Sequence, residues 1–450
     1  MPDLARIVKA YDIRGIVPDE LDEALARDIG AAFVRVVGAD QIVTAHDMRD
    51  SSPGLARAFA EGATAQGADV VEAGLGSTDL LYYASGSLGV PGAMFTASHN
   101  PAKYNGIKLC RAGAAPVGQD TGLADIRALV EQGIPPYDGP TGTISQRDLL
   151  TEYAEYIVSL VPGVTDIRKL SVVVDAGNGM GGLTVPVVFE RLPVDLAPMY
   201  FELDGSFPNH EANPIEPENL RDLQAKVRET GADIGLAFDG DADRCFVVDE
   251  KGDVVSPSVL TALIATRELA KEPGSTIIYN LITSHGVPEI VAEHGGTALR
   301  TRVGHSFIKA TMAETNAIFG GEHSGHFYFR DFWRADSGML AALHALAALG
   351  TQDRPLSGLL AEFTRYVASG EINTRVDDQA ATVAAVQASY GGRAGVTIDH
   401  LDGLTVALPD GSWFNLRASN TEPLLRLNVE AADEATMSAI RDEVLGLLRG

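Results

Sequence analysis

The sequence predicts an α/β protein with four domains around a central cleft: three related mixed α/β units and a smaller C-terminal α+β domain. The first observation is its length, because 450 residues exceed what one hydrophobic core organises. The second is a repeated layout, in which a short apolar run leads into a polar or glycine-containing turn and then a helix-like stretch. These runs begin at Ile42, Val172 and Ile277, and the expected domains are residues 1–148, 149–252, 253–366 and 367–450.

Each of the three units contains a second apolar run that ends in a polar motif. These runs begin at Ala93, Ile234 and Ala317, and the motifs span residues 96–101, 239–244 and 321–326. Ligands of open α/β sheets bind outside the carboxyl ends of the strands, so we expect the three motifs to converge on one cleft. The alternative is that strand ends are polar in any protein.

The C-terminal segment has a different pattern. Strand-like runs lie around Ile372, Val396 and Leu404, and a turn at 409–412 joins the last of these to a run beginning at Trp413. An amphipathic stretch at 435–448 predicts a closing helix. These features predict a small α+β domain with a polar loop at 417–423.

The charge and composition of the chain exclude several classes of partner. The net charge of −26, from 35 basic and 61 acidic side chains, argues against nucleic acid or an anionic membrane. No apolar run reaches the roughly 18 residues of a membrane span, and the patch at 339–343 predicts a buried helix instead. Without a signal-peptide pattern, and with only Cys110 and Cys245, a cytoplasmic protein with reduced thiols is expected. The sequence predicts no particular oligomeric state.

Asp239, Asp241 and Asp243 alternate along the chain, so an extended backbone can direct all three carboxylates to one side. Clustered carboxylates repel one another unless a cation neutralises them, and a hard ion such as Mg²⁺ or Ca²⁺ suits oxygen ligands. An EF-hand is rejected because Arg244 stands where its loop needs glycine, and because strand-like runs flank the motif. The remaining alternative is a solvated acidic turn that Arg244 partly neutralises.

Ser98 lies in a Ser-His-Asn-Pro turn rather than a Gly-x-Ser-x-Gly elbow, so acyl-transfer chemistry is unsupported. Beside His99 and Asn100, this serine is compatible with a phosphoryl carrier assisted by a cation. The alternative interpretation is a capped turn in which Pro101 opens a helix.

Three further motifs are weaker signals. Glu322, Ser324 and His326 offer donors and acceptors for sugar hydroxyls, while the spacing of His323 and His326 is only a weak indication of zinc. The loop containing Arg417, Ser419, Asn420 and Thr421 suits a phosphate group, although it also fits an ordinary surface turn. The glycines of 177–182 do not match a nucleotide-binding frame and predict a tight strand-to-helix turn.

With these residues in view, the whole chain resembles the α-D-phosphohexomutase superfamily, specifically its bacterial phosphomannomutase/phosphoglucomutase branch. The resemblance implies that Ser98 is the phosphoserine and that Asp239, Asp241 and Asp243, with a phosphate oxygen on Ser98, bind Mg²⁺. It implies that Arg14, Lys108 and His305 are the candidates for proton transfer. The substrate-binding positions that it implies are Tyr11, His99, Arg244, Glu322, His323, Ser324, Gly325, His326, Arg417, Ala418, Ser419, Asn420 and Thr421.

The resemblance also implies a reaction. A hexose 1-phosphate and a hexose 6-phosphate, of mannose or glucose, would interconvert through phosphoserine and a hexose 1,6-bisphosphate that acts as intermediate and activator. The expected partner is therefore a small phosphosugar. The alternatives are a phosphoglucosamine mutase, a metal-dependent sugar phosphatase and a non-catalytic sugar-phosphate sensor.

Two departures from the family pattern bear on the substrate. Residues 280–284 have no lysine where relatives often place one in the cleft, and Arg302 is the candidate replacement. His323, where a glutamine would be expected in a phosphoglucosamine mutase, favours the mannose/glucose branch, as does Asn420 followed by Thr421. The choice between mannose and glucose is not predicted.

Overall fold

The computed structural model describes residues 4–418 and 424–449, with the side chains of all of these except His305 and Ser306. Its strands form four separate sheets in chain order, three mixed and one antiparallel. The predicted fold class, three mixed α/β units followed by an α+β domain, is confirmed.

The first sheet has seven strands in the order β1-β5-β4-β2-β3-β7, with β6 paired to β5. Its strands are β1 (Ile13–Ile16), β2 (Gln41–His46), β3 (Asp69–Leu75), β4 (Gly92–Phe95), β5 (Tyr104–Arg111), β6 (Ala115–Pro116) and β7 (Ile144–Gln146). Its helices are α1 (Leu4–Ile7), α2 (Glu23–Val37), α3 (Ser52–Ala65), α4 (Thr78–Leu88) and α5 (Leu123–Gln132). β2, β3, β4 and β7 are parallel, and β5 runs antiparallel beside β4.

The second sheet has five strands in the order β12-β11-β10-β8-β9. They are β8 (Leu170–Asp175), β9 (Val194–Met199), β10 (Ile234–Phe238), β11 (Cys245–Val248) and β12 (Val254–Val255), packed with α6 (Leu150–Ser159), α7 (Gly181–Phe189) and α8 (Arg221–Thr230). Because β12 pairs with β11, this sheet runs slightly past residue 252, where the sequence prediction ended the second domain.

The third sheet repeats the arrangement in the order β14-β13-β15-β16-β17. Its strands are β13 (Thr276–Asn280), β14 (Thr297–Thr301), β15 (Phe319–Gly321), β16 (Phe327–Phe329) and β17 (Ala335–Asp336). Its helices are α9 (Pro257–Lys271), α10 (Gly286–Glu293), α11 (His305–Thr315), α12 (Gly338–Gly350) and α13 (Leu356–Leu360). Every residue of α12 is buried, which confirms the buried helix predicted at 339–343.

The fourth sheet is antiparallel, in the order β18-β23-β22-β21-β20, with β19 also paired to β23. Its strands are β18 (Val367–Ala368), β19 (Ile372–Arg375), β20 (Thr397–Asp399), β21 (Leu404–Ala407), β22 (Trp413–Ala418) and β23 (Leu424–Ala431). They pack with α14 (Gln379–Gly391) and α15 (Glu434–Arg449). The hairpin and the closing helix predicted for this segment are both present.

The repeat found in the sequence corresponds to equivalent strands. β2, β8 and β13 are the three first runs, and each pairs in parallel with β4, β10 or β15, the strands that precede the polar motifs. An antiparallel strand, β5, β11 or β16, follows each motif. The motifs are therefore three equivalent connections at the carboxyl ends of three parallel strands.

The apolar core is shared unequally among the four units. One continuous cluster of buried residues runs through the first three, with Met94, Tyr153 and Leu340 among its members. The fourth unit has its own cluster, which includes Phe414, Leu427 and Val444. No helix in the described part of the chain combines the length and the apolar character needed to cross a membrane.

Candidate active site

Ser98 stands in the connection between β4 and β5 and is only 5% exposed. Its Oγ donates a 2.7 Å hydrogen bond to Oδ2 of Asp239, although 141 residues separate them. Its backbone has a φ of 50°, in the left-handed region that a non-glycine residue rarely adopts. Residues 101–103 lead directly into β5, so the alternative in which Pro101 opens a helix is wrong.

The three aspartates follow β10 and are at most 1% exposed. One carboxylate oxygen from each lies within 4.8 Å of the others. β10 and β11 flank the loop, which agrees with the rejection of an EF-hand. The solvated acidic turn is wrong because all three side chains are buried.

The donor set fits a hard divalent cation. Oδ1 of Asp241 and Oδ1 of Asp243 are buried without a hydrogen-bond partner among the residues that the structure describes. Burial raises the pKa of Asp239 to about 7, against the opposing charge of Arg244, because three carboxylates share one dry site. Oxygen-only ligands in this arrangement suit Mg²⁺ better than a soft metal.

Lys108 connects the first unit to the aspartate loop. Its Nζ lies 2.7 Å from Oδ2 of Asp241 and 2.6 Å from Oδ2 of Asp243. Although burial by itself lowers the pKa of Lys108, the two aspartates hold it well above its ordinary value. Oγ1 of Thr78 donates to the same oxygen, Oδ2 of Asp241, at 2.6 Å.

Glycines let the aspartate loop approach its neighbours. A Cβ at Gly240 would lie 2.3 Å from the carbonyl oxygen of Ser98, and one at Gly179 would lie 2.6 Å from the carbonyl oxygen of Gly240. The amide of Met180 donates to that same Gly240 oxygen at 2.9 Å. The predicted strand-to-helix turn at 177–182 does join β8 to α7, and it contacts the aspartate loop through Gly179 and Met180.

Glu322 is the fixed centre of the third motif. It is 2% exposed, and its Oε1 accepts from the amide of Gly304 at 3.0 Å. Its Oε2 accepts from the hydroxyl of Tyr328 at 2.8 Å and from Oγ of Ser324 at 3.4 Å. The carboxylate therefore ties this loop to the start of α11, where His305 is the first residue; the side chain of His305 lies outside the described atoms.

The two histidines of this motif face different cavities. His326 forms an isolated β-bridge with Arg244, and its Nδ1 lies 3.0 Å from Oδ2 of Asp336. His323 instead lines a cavity between the third and fourth units, together with Trp413 and Glu430. Gly325, with a φ of 87°, accepts from the amide of Cys245 at 3.3 Å and reverses the chain between the two histidines. This divergence does not support the zinc interpretation.

One pocket collects most of the predicted residues from the first three units. Its lining includes Tyr11, Asp12, Arg14, Tyr82, Ser98, His99, Lys108, Asp243, Arg244, His326 and Asp336. Arg14 donates to Oδ1 of Asn100 and to Oδ2 of Asp12, at 2.6 Å each. Burial, reinforced by the charge of Arg244, lowers the pKa of His99 to about 2, so its imidazole is neutral beside Ser98.

The predicted phosphate loop belongs to the fourth unit. Arg417 and Ala418 end β22, and the guanidinium of Arg417 lies 3.6 Å from Asp402 and 3.7 Å from Glu371. The predictions for Ser419, Asn420 and Thr421 lie outside the described residues. Arg302, the proposed lysine replacement, holds its guanidinium 4.6 Å from the ring centre of Phe307.

Comparison with known proteins gives these units a family. Models for the α/β/α domains I, II and III of phosphoglucomutase/phosphomannomutase match residues 5–134, 151–252 and 256–366, and the model for the C-terminal domain matches 371–447. The chain belongs to the phosphoglucomutase/phosphomannomutase family. The resemblance inferred from the motifs is thereby confirmed.

Relatives within this family match the chain along its whole length. It is 43% identical over 447 residues to the phosphohexose mutases of Xanthomonas campestris pv. campestris, covering 98% of this chain and 99% of the relative. It is 41% identical over 452 residues to a phosphomannomutase of Escherichia coli, covering 98% of each. A crystal structure of a phosphoglucomutase/phosphomannomutase family protein from Burkholderia thailandensis superposes with a TM-score of 0.89 at 34% identity, covering 100% of this chain and 98% of that one.

Sequence reasoning missed Asp336, which lines the pocket around Ser98, and Lys309, which forms an ion pair with Asp336. Asp336, on β17, lies between Nδ1 of His326 and Nζ of Lys309, which is 2.6 Å from its Oδ1. Lys309 is buried on α11, with its ammonium group 4.4 Å from the ring centre of Tyr82. Neither lies in a polar motif, and the only signal in the sequence is a charged residue at a position that must be buried.

A third missed residue, Asp79, joins three units at one point. Its Oδ2 accepts from the hydroxyl of Tyr153 and from Oγ of Ser337, at 2.7 Å each, and its Oδ1 accepts from Ser77. Burial raises the pKa of Asp79 to about 6, although these hydrogen bonds oppose the rise. Asp79 is the residue after Thr78, whose hydroxyl binds Asp241. The junction of the three units therefore lies next to the aspartate loop.

Proposed function

We propose that the protein is a phosphohexomutase that interconverts hexose 1-phosphate and hexose 6-phosphate, with mannose, glucose or both as the sugar. The observation that carries this is the 2.7 Å contact between Oγ of Ser98 and a buried group of three carboxylates. Hexose phosphate mutase activity is also supported by full-length relatives at about 40% identity that are named phosphomannomutases or phosphohexose mutases.

Ser98 acts as the phosphoryl carrier in this proposal. Phosphoserine 98 transfers its phosphoryl group to the free hydroxyl of a hexose monophosphate, which gives a hexose 1,6-bisphosphate and the free serine. After the sugar turns over, the other phosphoryl group returns to Oγ of Ser98. Bound Mg²⁺, held by Asp239, Asp241, Asp243 and a phosphate oxygen on Ser98, would offset negative charge on the transferring group.

The pocket supplies the remaining requirements of the transfer. Each step needs a proton moved at the sugar hydroxyl, and our candidates are Arg14, Lys108 and His305. Arg14 and Lys108 both line the pocket that contains Ser98, which supports their assignment. The neutral imidazole of His99, whose Nδ1 is 3.2 Å from Oγ of Ser98, orients the serine without adding a second charge.

Substrate binding is divided among the units. Glu322 and Ser324 bind sugar hydroxyls, with His323, Gly325 and His326 completing their loop. Tyr11, Arg244 and His99 border the transferring phosphate. The phosphate that is not transferred is bound by the loop of Arg417, Ala418, Ser419, Asn420 and Thr421.

Four further statements belong to this proposal. The metal is Mg²⁺, hexose 1,6-bisphosphate is the intermediate and activator, and the protein acts in the cytoplasm. The four domains are residues 1–148, 149–252, 253–366 and 367–450, each of which contributes one of the loops described above.

Phosphorus NMR tests the function directly. The protein is incubated with Mg²⁺, a trace of hexose 1,6-bisphosphate and the 1-phosphate of mannose, glucose or glucosamine in parallel. Growth of a 6-phosphate signal supports the mutase and identifies its sugar, and a preference for glucosamine would favour a phosphoglucosamine mutase instead. Inorganic phosphate alone would identify a phosphatase, and no reaction with any sugar would favour a sensor.

The Ser98→Ala variant tests the carrier. We expect turnover to be lost while sugar-phosphate binding, measured by calorimetry, stays close to that of the wild type. Ser159→Ala, at an exposed serine at the end of α6, is the matched control. Normal turnover in Ser98→Ala would remove the phosphoserine relay.

A further inference from the structure

Arg49 is an arginine buried next to the serine loop, where it belongs to none of the predicted motifs. It lies between β2 and α3, is 2% exposed, and is among the largest fully buried side chains of the described residues. Its Nε donates to Oδ2 of Asp47 at 3.2 Å. A buried ion pair alone is weak evidence of a role, since such pairs often contribute little net stability.

The other bonds of Arg49 are more informative. Nη1 donates to the carbonyl oxygens of Pro101 and Tyr104, at 3.1 and 3.0 Å. Nη2 donates to those of Ser98 and Asn100, at 2.9 and 2.7 Å. With the bond to Asp47, all five N–H donors of the guanidinium are used, and four of them bind the backbone of residues 98–104. The serine loop is therefore wrapped around this one side chain.

This wrapping includes the strained residue of the loop. Ser98 has a φ of 50°, and such a conformation persists in a non-glycine residue only where its surroundings determine it. Oγ1 of Thr96 accepts from the amide of Ser98 at 2.9 Å, and Arg49 binds the carbonyl of the same residue. Relaxation of this backbone would swing Oγ of Ser98 away from Asp239.

The second unit covers the guanidinium from outside. The ring centre of Phe207 lies 5.1 Å from the Arg49 guanidinium carbon, and a Cβ at Gly205 would lie 2.7 Å from the Arg49 Cα. Phe207 also reaches the aspartate loop, since its Cζ lies 3.6 Å from the Cβ position at Gly240. Arg49 is thus enclosed between the serine loop and the unit that carries the metal ligands.

We infer that Arg49 is a positioning residue for phosphoryl transfer, which holds Ser98 in the backbone conformation that directs its Oγ to the aspartate group. This inference rests on the proposed function. Among the described residues, Arg49 forms no hydrogen bond or ion pair with the sugar-binding loop or the fourth unit, so it acts on the transfer step rather than on sugar binding. Lysine cannot replace it fully, because one ammonium group cannot reach four carbonyl oxygens arranged around a planar fork.

Steady-state kinetics of Arg49→Met and Arg49→Lys test this role, with Arg57→Met on the exposed face of α3 as the control. We expect kcat to fall at least about 100-fold in Arg49→Met, because a displacement of about 1 Å at the reacting atom has an effect of this size. Arg49→Lys should lose about tenfold, and KM for the hexose 1-phosphate should stay within about threefold in both. Transfer from hexose 1,6-bisphosphate to Ser98, followed by intact-protein mass, should slow in parallel with kcat.

Folding is checked by thermal melting, and Arg49→Lys decides the question if Arg49→Met does not fold. A folded Arg49→Lys or Arg49→Met protein with wild-type kcat and wild-type phosphorylation of Ser98 would overturn the inference. A variant that loses activity only through a higher KM, with kcat unchanged, would also overturn the inference. If the wild-type protein itself has no mutase activity, the proposed function fails, and that result is distinct from any difference between the Arg49 variants.

Discussion

One added methyl group at Gly240 tests how closely the serine and aspartate loops must fit. A Cβ at this position would lie 2.3 Å from the carbonyl oxygen of Ser98, which is 1.1 Å short of the 3.4 Å at which ordinary contact begins. The obstructing atom belongs to the backbone, so it cannot turn aside as a flexible side chain would. In Gly240→Ala, we therefore expect the two loops to separate by about 1 Å, which corresponds to a loss of about 100-fold in kcat, or about 2.7 kcal/mol of activation free energy.

The assay is steady-state turnover of hexose 1-phosphate under saturating Mg²⁺, with thermal melting to follow the fold. Overpacking should cost only about 1–3 kcal/mol of the free energy of unfolding, so the variant should remain folded. Gly446→Ala is the matched control, because a Cβ there meets nothing within 4 Å. A folded Gly240→Ala protein with kcat within about threefold of the wild type would refute the reasoning.

Three more predictions follow from the site. Arg417→Gln should raise KM for the sugar phosphate at least about tenfold with a smaller change in kcat, because it removes the charged side chain proposed to bind the phosphate. An unchanged KM in steady-state assays would contradict the assignment of Arg417 to the phosphate. Chelation should abolish turnover and added Mg²⁺ should restore it, while Asp241→Asn should need at least about tenfold more Mg²⁺ for half-maximal activity. Asp79 has a folded pKa of about 6, above its ordinary value of 3.8, so its contribution to stability is present below about pH 4 and is lost as pH rises towards 6. In denaturant unfolding, the wild type should therefore lose up to about 3 kcal/mol relative to Asp79→Asn between pH 4 and pH 7, and parallel pH profiles would contradict this.

The sequence was sufficient to predict what depends on local pattern. The apolar runs before Ser98, Asp239 and Glu322 are strands because they are short and bounded by polar turns, and each strand places its motif at the carboxyl edge of its own sheet. That geometry predicted the convergence of Ser98 and Asp239, which the structure brings to 2.7 Å.

The sequence could not show contacts that depend on packing between units. Thr78 binds Asp241 across 163 positions, and Arg49 binds the carbonyl of Ser98 across 49. Neither residue belongs to a motif. Thr78 meets a carboxylate of another unit, and the backbone carbonyls that Arg49 binds leave no mark in the sequence. Sequence proximity can also mislead. His323 lies between Glu322 and Ser324 in the sequence, yet its side chain faces the cavity beside the fourth unit. Neighbours in a loop need not share a direction.

The division of the apolar core sets the fourth unit apart from the other three. The first three units pack around one continuous core and are joined by the hydrogen bonds of Asp79. The fourth unit has its own core and contacts the third through residues such as Glu430. The Glu430 carboxylate accepts from the amide of His285 and from the indole of Trp413. The shared core therefore contains the supports of the serine and aspartate loops, whereas Arg417 belongs to the fourth unit. We expect the fourth unit to move when sugar enters or leaves, while the 2.7 Å contact between Ser98 and Asp239 is kept. Trp413, which lies against His285 of the third unit, is placed to report such a motion by its fluorescence.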